Sequence, residues 1–96
     1  GVQDNAKKQA LVTNAKSIQN AFEMVNASKG SYPDTSGEED LDLGSILSTS
    51  GIQIDIESDY TVTANSGDTS SYNFILKGED YQVTVTPGGI GEPTDN

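Results

Sequence analysis

Residues 14–33 read NAKSIQNAFEMVNASKGSYP, and this stretch decides the fold. Together with Leu11 just ahead of it, Ala15, Ile18, Phe22 and Val25 recur at steps of 4, 3, 4 and 3. At about 100° per residue these five positions stay within a stripe of roughly 80°, a narrow apolar face on a helix. Lys16, Gln19, Asn20, Glu23 and Asn26 occupy the other side and suit water. Gly30 fits the C′ position that ends helices, with Lys29 in the last turn where a cation is favoured. Pro33 forbids resumption. The helix is expected to run from about Val2 to Lys29, roughly 40 Å at 1.5 Å per residue.

Its front end has a different character. Continued backwards, the stripe lands on Asp4, Lys7 and Lys8. The first two turns therefore have helix-forming residues but no apolar face. They are expected to project as a stalk beyond the domain, with an N-terminal segment cut away in front of them.

Downstream, SYPDTSGEEDLDLGSILSTSG (31–51) is a polar connector with one apolar patch, Leu41, Leu43, Ile46 and Leu47. That patch is spaced for a short helical turn over the core edge, bounded by Gly44 and Gly51. Strand patterns follow. Ile52, Ile54 and Ile56 alternate with polar residues, as do Tyr60, Val62 and Ala64, the period of a strand with one buried face. NSGDTSS (65–71) reads as a loop. YNFILK and DYQVTVT read as a hairpin across Gly78-Glu79, with Phe74 and Leu76 facing inwards beside Tyr81, Val83 and Val85. Pro87 ends the last strand, and the tail PGGIGEPTDN reads as irregular.

The expected architecture is α+β: a long N-terminal helix packed on a three- or four-stranded antiparallel sheet. It forms a single domain over 1–96, with a stem helix (1–29), an αβ-loop (30–51), the sheet (52–86) and a tail (87–96). Ninety-six residues, 32% of them apolar, supply one small core. One helix across one sheet gives it two layers.

Composition narrows the function. Fifteen acidic residues face five lysines, with neither arginine nor histidine, for a formal charge of −10. Phosphate backbones and anionic bilayers repel such a chain, so nucleic-acid binding is not expected. The lack of cysteine and histidine removes thiolate nucleophiles, zinc cages, imidazole bases and Ser-His-Asp triads. Carboxylates, lysines and phenols remain for acid/base work, but a small polar chain has little material for a pocket. No catalytic residue is assigned, and an enzyme is not expected. No run of 18 apolar residues occurs.

AKKQALVTNAKSIQNAFEMVNASKGSYP resembles the C-terminal half of the first helix of type IV pilins and the related pseudopilins. Gly30-Ser31-Tyr32-Pro33 matches their Gly-x-Tyr-Pro close, and the order helix, acidic loop, β-meander covers nearly the whole chain. The resemblance implies a structural subunit of a filament. Its apolar anchoring helix of about twenty residues would precede Gly1, spanning the bilayer before assembly and packing in the filament core afterwards. It also implies display on a bacterial cell surface, with the pilus assembly machinery and other pilin subunits as partners. The lack of cysteine departs from the stapled pilins of many Gram-negative bacteria and is closer to Gram-positive pilins or to a pseudopilin of a secretion or competence system.

Several residues carry a second meaning beside the plain one. Asp34, Glu38, Glu39, Asp40 and Asp42 offer oxygens of the kind calcium takes, although a charged loop is usually solvated surface and the spacing is not that of an EF-hand. Glu92 or Asp95 with glycine-loop carbonyls is the other calcium candidate, prompted by the calcium site that major pseudopilins often hold in their C-terminal loops. No metal or cofactor is assigned from either. Tyr32 and Pro33 either lock the chain reversal or touch a neighbouring subunit. Asn26-Ala27-Ser28 is a glycosylation sequon. Leu11, Ile18 and Phe22 form the core or a partner face. Lys7, Lys8 and Lys16 either decorate the stem or pair with the acidic sheet of the next subunit. The competing class is a small extracellular module that binds calcium, glycan or protein through the acidic loop.

Overall fold

The computed structural model describes residues 2–34, 42–48, 51–54 and 60–96. Helix α1 spans Val2–Lys29 and helix α2 Leu43–Ser48; strands β1 (Thr61–Asp68), β2 (Ser71–Lys77), β3 (Tyr81–Thr86), β4 (Gly89–Ile90) and β5 (Thr94–Asp95) form one antiparallel sheet. The fold is α+β, with α1 lying chiefly on β3. The molecule measures 42 × 22 × 22 Å, so α1, about 40 Å long, matches its long axis.

The stripe on α1 does what its spacing predicts. Leu11, Ala15, Ile18, Phe22 and Val25 are all buried, joined by Ala21. Strand β2 alternates in the same sense, with Tyr72, Phe74 and Leu76 pointing inwards. Phe74 pairs with Val85 and Leu76 with Val83 across the β2–β3 hairpin. The ring of Phe22 meets Tyr72 edge-on at 4.7 Å and Phe74 at 5.4 Å, the offset geometry aromatic quadrupoles favour. Leu43 and Leu47 on α2 close one side of this core, with Ile46 half-buried beside them. Gly44 lies inside α2 rather than bounding it.

Three expectations need correction. The alternation at Ile52 and Ile54 does not make a strand: residues 52–54 run without regular pairing, and both isoleucines pack half-buried against the core. Ile56, like Leu41, lies outside the described residues. Residues 65–68 are not a loop. β1 continues through them, with a register shift between Ala64 and Ser66, and the turn is only Thr69-Ser70. Such a bulge lets a turn-rich sequence stay in a ladder while bending it.

The tail is the third. Rather than trailing away, it returns twice to the outer edge of β3: Val85 pairs with Ile90 and Thr86 with Gly89, then Gln82 with Thr94 and Tyr81 with Asp95. The Gly91 amide donates to the Thr84 carbonyl at 2.9 Å, between the two bridges. Among the described residues five strands result where three or four were expected. The outer edge of β3 is thus covered by two-residue pieces, a way of leaving little strand edge for another chain to extend.

Candidate functional site

Both ends of α1 carry polar constellations. At its C-terminal end Gly30 adopts φ +78°, the left-handed conformation glycine takes without a Cβ penalty. Its amide donates to the Asn26 carbonyl at 2.8 Å. The chain then turns back, and the Tyr32 amide donates to the Thr69 carbonyl in the β1–β2 turn at 2.9 Å. The Tyr32 hydroxyl donates to the Glu23 carboxylate, its oxygen 2.9 Å from each carboxylate oxygen. That bond raises the Tyr32 phenol above its ordinary value, with burial adding to the effect. The Tyr32 ring stands edge-on to Tyr72 at 4.9 Å. Tyr32 therefore locks the reversal, tying the helix end to the sheet. Tyr72 itself is 1% exposed, and its hydroxyl has no hydrogen-bond partner among the described residues. Burial, with the Glu23 carboxylate second, pushes its phenol far up.

At the N-terminal end the second turn is not bare. The Lys7 ammonium lies 2.5 Å from Asp80 and 3.9 Å from Glu79 in the β2–β3 turn. Asp80, first through its hydrogen bond, raises the Lys7 pKa. Lys8 sits over the Tyr81 ring at 5.0 Å, within reach of a cation–π attraction. The Tyr81 phenol is pushed up by burial and by the carboxylate of Asp4, which accepts its hydrogen bond. The same turn is tied from behind. Asn96 gives its side-chain amide to the carbonyls of Gly78 (3.0 Å) and Glu79 (3.1 Å) and its backbone amide to that of Asp80.

Close approach explains Gly78. A Cβ there would come within 3.1 Å of the Tyr60 ring and 3.5 Å of Leu11. A groove of about 300 Å³ opens alongside, between Ala6, Ala10, Leu11, Tyr60, Gly78 and Tyr81. The first two turns are thus not the free stalk expected, because Asp4, Lys7 and Lys8 tie them to the sheet. Polar groups dock them where apolar ones are missing, and Asn5 and Ala6 remain exposed.

The remaining candidates scatter. Asp34 and Asp42 are exposed ends of the acidic connector; Glu38, Glu39 and Asp40 lie outside the described residues. Among the described residues no three acidic side chains gather as a metal would require. Glu92 and Asp95 are exposed, with Asp95 in β5. The sequon lies in the last turn of α1, where Ser28 donates to the Val25 carbonyl at 3.4 Å. Leu11, Ile18 and Phe22 are core. Lys16 is exposed, whereas Lys7 and Lys8 are half-buried in contacts within the chain. Among the described residues no helix is long and apolar enough to cross a membrane.

No protein-family model, curated protein or solved structure matches the chain.

Two contacts that matter here carry little signal in sequence. Tyr72 is one position of an alternating strand, and only the fold puts its hydroxyl in the core. The Lys7–Asp80 pair joins residues 73 apart, and only a hairpin ending level with the second helical turn brings them together.

Proposed function

We propose that this chain is the water-facing headpiece of a type IV pilin-like structural subunit, working by mechanics rather than chemistry. Such a subunit polymerises through an apolar helix placed ahead of these residues and displays the sheet and loops outside the filament. A pseudopilin of a secretion or competence system is the same proposal in a shorter fibre.

The observation that carries the reading is the graded anchoring of α1. From Leu11 to Val25 the helix is sealed onto the sheet by buried side chains. At Lys7 and Lys8 it is held by polar contacts. In the first turn, among the side chains described, only Asp4 reaches the sheet, through its hydrogen bond from Tyr81, while Asn5 and Ala6 are exposed on the same continuous axis. A rod that enters a domain in this way suits transmission of load from a helical stem into a folded head. The Gly30–Tyr32 closure supports the same reading, since it fixes the helix end to both Glu23 and the β1–β2 turn.

The coding sequence upstream of residue 1 provides the test. About twenty apolar residues leading straight into Val2, the length a bilayer demands, is the expected result. An upstream frame encoding a polar segment there overturns the proposal. Gold-labelled antibody raised against this domain is expected to decorate surface filaments along their length.

A further inference from the structure

Asp4, Lys7 and Lys8 tie the first two turns of α1 to the sheet, and all three converge on one short piece of it. The Asp4 carboxylate accepts from the Tyr81 hydroxyl. Lys7 pairs with Asp80 and more loosely with Glu79. Lys8 lies over the Tyr81 ring. The buried stripe of the helix begins only at Leu11. The hold of these turns on the sheet is therefore set by where Asp80 and Tyr81 stand.

The end of the tail bears on that position. Asp95 pairs with Tyr81 in the β3–β5 ladder. The Asn96 backbone amide donates to the Asp80 carbonyl at 3.1 Å, and its side-chain amide donates to the carbonyls of Gly78 and Glu79 at 3.0 and 3.1 Å. One asparagine thus holds three consecutive carbonyls of the β2–β3 turn, whose own closing bond runs from the Gly78 amide to the Tyr81 carbonyl at 2.9 Å. Asp80 and Tyr81 receive the helix on their side chains and the tail on their backbone. The tail end has little apolar hold of its own. Thr94, Asp95 and Asn96 are exposed, and Ile90, the tail residue packed against the core, lies several positions back. Segments held by exposed polar contacts belong to the part of a fold that opens at low cost.

We infer that residues 94–96 are a latch for the first two turns of α1. The tail holds the β2–β3 turn where the helix can dock, and the docked helix holds the same turn where the tail can bond to it. Docking and latching are one equilibrium, and the coupling between them is reciprocal. With the latch closed, α1 is fastened to the sheet from Asp4 onward. With it open, the first two turns leave the sheet while the face from Leu11 to Val25 stays sealed. The supported length of the helix then shortens by about 10 Å, at 1.5 Å per residue, without unfolding of the core. Whatever displaces the tail from the turn releases the helix. The latch does not rest on the filament reading, since it operates whatever precedes Val2.

The test is hydrogen exchange on the full chain, read residue by residue by NMR. Amides 6–10 bond to carbonyls one turn earlier in α1 and report the docked turns. The Asn96 amide, bonded to the Asp80 carbonyl, reports the latch. Asn96→Ala removes the two side-chain bonds to the turn and should speed exchange at 6–10 about two- to tenfold, the effect of losing one net hydrogen bond. Lys7→Ala, on the helix, should speed exchange at the Asn96 amide by a similar factor. Amides of β2 and of residues 18–25 should keep their wild-type rates in both variants, which shows the core intact. Glu92→Gln, an exposed change in the same tail beside Gly91 rather than at the turn, should leave 6–10 unchanged. Acceleration confined to the altered segment, with Asn96→Ala acting only on the tail and Lys7→Ala only on the helix, overturns the latch. So does equal acceleration by Glu92→Gln, or acceleration that extends to β2 and residues 18–25, which would make these contacts part of the cooperative core.

Discussion

Tyr32 and Glu23, nine residues apart in sequence, meet through a phenol hydroxyl 2.9 Å from both carboxylate oxygens. This contact turns the end of α1 from a stop into a joint. The glycine before it lets the chain reverse, and the tyrosine then binds the reversed segment to the side of the helix it has just left. Removing the hydroxyl alone, with Tyr32→Phe, keeps the ring against Tyr72 and loses the charge-assisted bond. A lower melting temperature in circular dichroism is expected, with a larger loss for Tyr32→Ala, which removes both contacts. Equal stability of Tyr32→Phe and wild type would show the bond to be dispensable.

Tyr72 should behave in the opposite sense. Its buried hydroxyl lacks a partner among the described residues, so its desolvation is uncompensated. Tyr72→Phe is expected to raise stability by about 1 kcal/mol, read by urea denaturation.

The same residue sets an alkaline limit. Burial raises the Tyr72 phenol in the folded state, and the phenols of Tyr32 and Tyr81 are raised as well. An unfolded tyrosine ionises at about pH 10. Above that pH the folded protein holds protons that the unfolded chain releases, so stability falls as pH rises; below it these groups contribute no slope. Thermal melts between pH 8 and 11 should show a decline beginning near pH 10. Tyr72→Phe should make it shallower, with Tyr32 and Tyr81 supplying the remainder.

Phe22 is the centre of the aromatic cluster and fully buried. Phe22→Ala should cost about 3–5 kcal/mol, a large share of the stability of a domain this size. Loss of cooperative melting at room temperature is the expected result. At the joint, Gly30→Ala places a Cβ at φ +78° and should cost about 1 kcal/mol, with no clash to relieve.

Lys7 should act locally. Lys7→Ala removes the pair with Asp80 and is expected to speed amide exchange over residues 4–10 while leaving the global transition in place. Hydrogen-exchange mass spectrometry separates the two effects. A drop in global stability would mean that the second helical turn belongs to the cooperative core.

The parts of this fold that were legible in sequence are those where one apolar face decides everything. The α1 stripe and the alternation in β2 and β3 name their own buried residues, because burial leaves a period. The β1 extension was hidden because its residues, Ser66 to Asp68, are turn formers held in a strand by pairing with β2, where context outweighs propensity. Ile52 and Ile54 misled for the converse reason: they are anchored by packing without a partner strand. β4 and β5 are two residues each, too short to carry any period. The Lys7 and Lys8 contacts were missed because a search for apolar positions passes over a polar turn held by charge and a ring face.

Asn96 grips the β2–β3 turn and Lys7 pairs with that turn from the other side, so the two extremities of the described chain share one pole of the molecule. The opposite pole carries the exposed Thr69-Ser70 turn, bound to the helix joint through the Tyr32 amide. A short linker from 96 to 2, with the chain reopened between 69 and 70, should therefore give a circular permutant that keeps its core and stem intact. Cargo fused behind residue 96 would lie beside the first turns of α1, leaving the Thr69-Ser70 end clear.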